Sequence, residues 1–181
     1  MTSTASRIWP RMIRAMKLDA HLYEEVEHDP NANSQGLLII AIVSIAQAIG
    51  LGLNSAFVGE SMSNILVIGL FGFLETVIGL VIWSYILYFI GTKLFRGVAT
   101  MQEVWRCTSF ARSPGIFFII PIPFFGFLVN IWIFVAYIIG ARAALDISTG
   151  RTLIAAFISA IPFIIMHLIL VVSILQSILG I

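Results

Sequence analysis

Two titratable side chains sit inside otherwise apolar runs of this chain, Glu75 and His167. At 1.5 Å per helical residue, Glu75 lies about 22 Å from Ile90 and His167 about 21 Å from Leu153. With Ile90 and Leu153 at one membrane face, both reach the outer third of a hydrocarbon core about 30 Å thick. A carboxyl and an imidazole at one depth could face a shared polar path, because an ionisable group is costly within a span. One Glu and one His make no relay by themselves. The structural alternative is a protonated Glu75, or one that reaches the outer interface. Gln47 and Asn130 are isolated polar residues of the same kind, each expected to make an interhelical hydrogen bond worth about 1 kcal/mol.

A second cluster lies near the N-terminus. His21, Glu25 and His28 recur at i, i+4 and i+7, a spacing that can bind metal. No fourth ligand accompanies them, so no metal site and no cofactor is assigned. Enzyme signatures are missing as well: there is no HExxH, phosphate loop, GxSxG or pair of carboxylates within a span. The chain is therefore expected not to be an enzyme.

The elements that carry these residues are legible from hydropathy and charge. Sixty per cent of the 181 residues are hydrophobic and ten per cent charged, against about a quarter charged in soluble domains. Apolar stretches run over 36–53, 65–90, 116–125, 127–140 and 153–179. All ten basic residues fall on one side of the resulting topology. Arg7, Arg11, Arg14 and Lys17 precede the first stretch, Lys93, Arg96, Arg106 and Arg112 share one connection, and Arg142 and Arg151 another. Because cytoplasmic loops collect Lys and Arg, the N-terminus is expected inside and the C-terminus outside. Net charge near zero gives no reason to expect nucleic acid. Cys107 is the single cysteine, so no intramolecular disulfide is possible. The polar tail ahead of the first stretch does not have the form of a cleavable signal peptide.

Within that tail the basic residues repeat at helical spacing beside Ile8, Trp9, Met12, Ile13 and Met16. A basic face next to an apolar face with a Trp describes a helix in the membrane interface, with packing on the protein's own loops as the alternative. Ser44, Ala48 and Gly52, and again Ala136, Gly140 and Ala144, are small residues four apart that predict close helix packing within the bundle. The third element is irregular, with Arg112 and Pro114 ahead of an apolar run that ends at Pro121 and Pro123. It is expected to be a kinked span or a re-entrant hairpin.

The order of elements resembles one family. Phe110-Ala111-Arg112-Ser113-Pro114 follows a long second span and the turn Gly97-Val98-Ala99-Thr100, and the fourth span closes with residues 141–152, ARAALDISTGRT. This is similar to the Yip1 domain family over residues 10–178, and the short tail resembles its prokaryotic members. The resemblance implies a five-helix membrane bundle with a cytoplasmic tail. Eukaryotic members are associated with Rab-family GTPases and vesicle traffic, but no partner and no catalytic residue carries over to this chain.

The expectation is an all-α integral membrane protein, with a cytoplasmic amphipathic tail (1–35) and a domain of five transmembrane helices (36–181) in a prokaryotic plasma membrane. It would organise membrane or bind a membrane or cytoplasmic protein as an adaptor or accessory subunit. Arg7, Arg11, Arg14, Lys17, Arg106, Arg112, Arg142 and Arg151 would contact anionic headgroups or that partner. The alternative is a small channel or transporter, or its accessory subunit, that uses Glu75 and His167.

Overall fold

Long apolar runs that must satisfy their own backbone hydrogen bonds form helices in lipid. A computed structural model describes residues 4–122, 124–162 and 165 of the chain, with side chains from residue 8 onward. Its described residues contain helices and no strand. The two longest apolar runs form a hairpin of α3 (Ala32–Phe57) and α4 (Met62–Phe89). Ser61 caps α4 by accepting from the Asn64 amide, and Gly59, at φ +81°, makes the reversal with no Cβ to strain it.

Small residues set how closely the hairpin closes. Gly72 faces the Leu51 and Gln47 side chains, Gly69 faces the Ala48 carbonyl, and Gly52 faces Ile65. Ala48 and Gly52 therefore pack within the chain, as their spacing predicts. Beyond α4 the helix widens into a π-turn (Ile90–Leu94), and the chain reverses at Arg96. The following loop is pinned to the end of another helix, with the Val98 amide donating to the Leu145 carbonyl at 3.1 Å.

The third element departs from a span. Thr100 and Glu103 form a capping box that starts α5 (Met101–Ala111), an 11-residue helix. Ser113 and Pro114 then open a seven-residue 3₁₀ helix (Ser113–Ile119) in place of a kinked α-helix. This segment climbs one stripe of α3: Gly36 meets Ser109, Val43 meets Gly115, and Gly50 meets the Phe118 carbonyl. On α3 those contacts are two heptads apart, about 21 Å. The facing chain covers that distance from residue 109 to residue 118, about 2.3 Å per residue, which suits a 3₁₀ helix better than an α-helix.

The α6 helix (Phe125–Leu145) returns past this segment and ends at Asp146 in a left-handed conformation. Ala136, Gly140 and Ala144 are buried, and Gly140 receives the Tyr23 ring and the Cys107 carbonyl. A shorter apolar helix, α7 (Thr149–Pro162), follows. It buries Thr152, Ala155, Ala156 and Ser159 along one face. The rest of the expected fifth span lies outside the described residues. Among the described residues, three helices are long and apolar enough to cross a membrane: Ala32–Phe57, Met62–Leu94 and Phe125–Leu145.

The tail is a helical hairpin, α1 (Thr4–Met16) and α2 (Ala20–Glu27), reversed at Leu18 with φ +60°. Its apolar stripe divides between two environments. Ile8, Met12 and Ala15 are buried with Leu22, Tyr23 and Val26 of α2, while Trp9 and Ile13 stay about half exposed. Trp132 of α6 donates its indole N–H to the Met16 carbonyl at 2.8 Å. Packing on the protein takes most of the face that was expected to lie in the membrane interface.

The glycine contacts make a sharp prediction. A Cβ at Gly50 would stand 1.8 Å from the Phe118 carbonyl oxygen, whereas one at Gly52 would meet Ile65 at an ordinary 3.5 Å. Gly50→Ala should cost about 3 kcal/mol, the upper range for overpacking, because backbone has to move. Gly52→Ala should be close to neutral. Thermal unfolding in detergent, run on both variants, checks the contrast.

Candidate functional site

Glu75 turns inward. Its Oε2 accepts from Gln47 Nε2 at 2.6 Å, and Gln47 Oε1 accepts from Thr76 Oγ1 at 2.8 Å. The Thr76 hydroxyl also lies 3.1 Å from the Gly72 carbonyl. Adjacent side chains of α4 thus grip both ends of one amide on α3. The partner expected for Glu75, His167, lies outside the described residues.

This triad lines a partly open cavity of about 720 Å³ bordered by α3, α4, the 3₁₀ helix and α6. Arg112 enters it from the break between α5 and the 3₁₀ helix. Its guanidinium carbon stands 5.8 Å from the Phe118 ring centroid, and it interacts with the Tyr137 hydroxyl. Its Nε has no hydrogen-bond partner among the described residues. Tyr137 in turn stacks on Trp83 at 5.4 Å. Asn130 borders the cavity but donates to its own helix, to the Gly126 carbonyl at 2.9 Å, instead of across helices. Glu75 and Arg112 both border the space and form no ion pair with each other.

The N-terminal cations are used differently from the sequence expectation. Arg11 is buried, 6% exposed, and does not face lipid. It pairs with Glu25 at 2.7 Å and Asp29 at 2.8 Å, and donates to Gln35 of α3 at 2.8 Å. One guanidinium thereby joins α1, α2 and the start of α3. Arg14 bridges Asp19 at 2.7 Å and Glu25 at 2.5 Å. Arg106 is also buried, its Nη2 donating to the Glu27 carbonyl. Glu25 is committed to arginines and His28 Nδ1 lies 2.9 Å from the Glu24 carbonyl, while the His21 ring is exposed. No metal-binding group of three His, Cys, Asp or Glu occurs among the described residues.

Titration follows from these contacts. Asp19 is held below the usual carboxylate range by its hydrogen bond from Arg14. In Glu25 and Asp29 desolvation pushes upward, but hydrogen bonds from the arginines, and for Asp29 also from Asn31, leave both lowered. Glu27 goes the other way, raised by burial. Burial also holds the Cys107 thiol protonated, and it donates to the Tyr23 carbonyl at 3.5 Å.

The exposed cations are Lys17, Lys93, Arg96, Arg142 and Arg151. Gly91 and Gly97 both abut Leu145, which brings the Lys93–Arg96 turn to the end of α6 that carries Arg142. The side chain of Arg7 lies outside the described set.

Residues 20–173 match the model of the Yip1 domain. The chain belongs to the Yip1 domain family. No curated protein and no solved structure matches it. With three long apolar helices among its described residues, this Yip1 protein is an integral membrane protein. The matched region of the Yip1 domain begins at α2, so α1 precedes it and is joined to it through Arg11.

Thr76, Trp83 and Tyr137 were not singled out from sequence. A faint signal existed, since Glu75, Thr76, Gly79, Leu80 and Trp83 recur at helical spacing along one face of α4. Nothing in the sequence pairs that stripe with Gln47.

Two outcomes test the cap. Arg11→Gln removes the cation between two carboxylates that are themselves partly exposed, so the loss should be about 2 kcal/mol, below that for a fully buried pair. Hydrogen exchange in 8–16 should rise while α3 and α4 stay protected. Separately, Asp19, Glu25 and Asp29 bind protons less readily folded than unfolded. The stability they contribute is complete above the ordinary carboxylate range, about pH 4, and is lost as pH falls through their lower folded values. Glu27, raised in the fold, opposes part of this. Thermal stability should therefore drop on acidification below about pH 4, and the drop should shrink in Arg11→Gln.

Proposed function

We propose that this Yip1 protein is a non-enzymatic, five-span membrane protein that binds anionic headgroups and a partner protein through its basic end. The reading places that end in the cytoplasm of a prokaryotic cell, with the C-terminus outside. One observation carries it: Lys93, Arg96, Arg142 and Arg151 are exposed, and none joins a salt bridge among the described residues. Leu94 and Val98, 62% and 77% exposed, lie between and beside these charges. Cations interleaved with exposed apolar side chains suit a headgroup layer or an acidic, partly apolar partner surface. Lys17 is exposed as well, but its neighbour Met16 lies against Trp132, about 15 Å along α6 from Arg142. Arg11, Arg14 and Arg106 are engaged internally, and Arg112 belongs to the cavity.

The cavity favours a second reading, in which Glu75 handles a solute or lipid inside the bundle. Its polar lining supports binding more directly than permeation, since only a few polar groups border it.

Each basic residue near an anionic leaflet contributes about 1 kcal/mol. Replacing Lys93, Arg96, Arg142 and Arg151 together by Gln should remove most of the phosphatidylglycerol that native mass spectrometry finds retained. Any protein that co-purifies from native membranes should be lost with it, while thermal stability holds. Undiminished retention of both lipid and protein would refute the basic-face reading.

A further inference from the structure

The cavity holds an arrangement that the basic face does not explain. Arg112 and Glu75 carry opposite charge types into one space and do not neutralise each other. Their separation along the bundle follows from a neighbouring contact, Ser84 Oγ to Thr108 Oγ1 at 2.8 Å, which sets α4 and α5 level. Glu75 lies nine residues from Ser84 and Arg112 four from Thr108, both towards the same end. Glu75 therefore stands about 8 Å beyond Arg112.

Each group is held and leaves capacity over. Gln47 engages Oε2 of Glu75, and no hydrogen bond of Oε1 occurs among the described residues. Arg112 leaves Nε unpaired, although that atom is shielded from solvent. The guanidinium of Arg112 borders the cavity, and its planar fork of donors fits an oxyanion. The Trp83–Tyr137 stack and Phe118 line the same cavity, and aromatic faces attract a cation. A simple anion would satisfy Arg112 but meet Glu75, and a simple cation the reverse. A molecule with both charges a short distance apart satisfies each.

We propose that this cavity binds an ammonium–phosphate zwitterion, with its phosphate on Arg112 and its ammonium on Glu75. The ethanolamine phosphate headgroup of a phospholipid has this chemistry, and so does free phosphoethanolamine. The volume of about 720 Å³ is within the range of small-molecule sites. On α4, Phe71, Leu74 and Ile78 flank Glu75 and are 55%, 45% and 52% exposed, an apolar surface along which acyl chains could lie. This goes beyond the basic face and rests on none of its residues.

The test uses the full chain in detergent, titrated with dihexanoylphosphatidylethanolamine, dihexanoylphosphatidylglycerol and phosphoethanolamine, with thermal shift as the readout. The wild type should bind the ethanolamine lipid about tenfold or more tightly than the glycerol lipid, as expected for one charge-assisted contact. Glu75→Gln should erase that preference, because the discriminating carboxyl is gone. Arg112→Gln should weaken both lipids by about tenfold or more, and Arg112→Lys should recover most of the loss. The Glu75→Gln preference is a ratio within one folded variant, so it remains decisive even where an Arg112 variant is unstable. If phosphoethanolamine binds as tightly as the lipid, the ligand is a soluble zwitterion; if only the lipid binds, it is a phospholipid. Equal affinity of the wild type for the two lipids, or an unchanged preference in Glu75→Gln, would overturn the proposal. The basic face stays intact throughout, so this result is independent of the outcome there.

Discussion

The Phe118 carbonyl lies against the bare backbone of Gly50, and the inner architecture depends on that approach. A side chain at position 50 would push the 3₁₀ helix off α3. With Gly36 and Val43 below it, Gly50 completes a stripe along which a short, steep segment replaces a regular span. The 3₁₀ helix rises faster than an α-helix, so few residues cover the depth. It begins where α5 ends, at Arg112, and this break turns a guanidinium into the bundle. Without the close approach, Arg112 would continue the course of α5.

Polar groups inside the bundle are arranged by the same need to leave no donor or acceptor unmet. Gln47 meets it by using its amide N–H on Glu75 and its carbonyl on Thr76. Thr108 and Ser109 meet it by back-bonding to carbonyls of the preceding turn. At the N-terminus Arg11 serves two carboxylates and one amide at once, and so attaches α1 to a domain that begins after it. These are separate solutions to one problem. In the cavity two groups of opposite charge type, Arg112 and Glu75, border one space without pairing.

Much of the scaffold was legible in the sequence. The long apolar runs became α3, α4 and α6, with boundaries shifted outward by a few residues because polar ends such as Ala32–Gln35 continue the helix. The small-residue stripes at Ala48 and Gly52, and at Ala136, Gly140 and Ala144, are packing seams within the chain. Less legible was the tail. Its amphipathic pattern is the same whether the apolar stripe faces lipid or protein, and the carboxylates of Glu25 and Asp29 and the amide of Gln35 that capture Arg11 lie 14 to 24 residues away.

By itself the sequence determined that this is a helical membrane protein, which runs are long enough to cross, and that the cations lie outside the longest apolar runs. Those properties depend on length, hydropathy and local spacing, and all are additive along the chain. The tertiary structure alone decided that Glu75 faces Gln47 and Thr76, that Arg112 shares its cavity, and that Arg11 is a tie between helices instead of a lipid contact. Each of these depends on the rotation of one helix about its axis relative to another. That rotation is set by where glycines permit close approach and bulky side chains forbid it, which no single helix records.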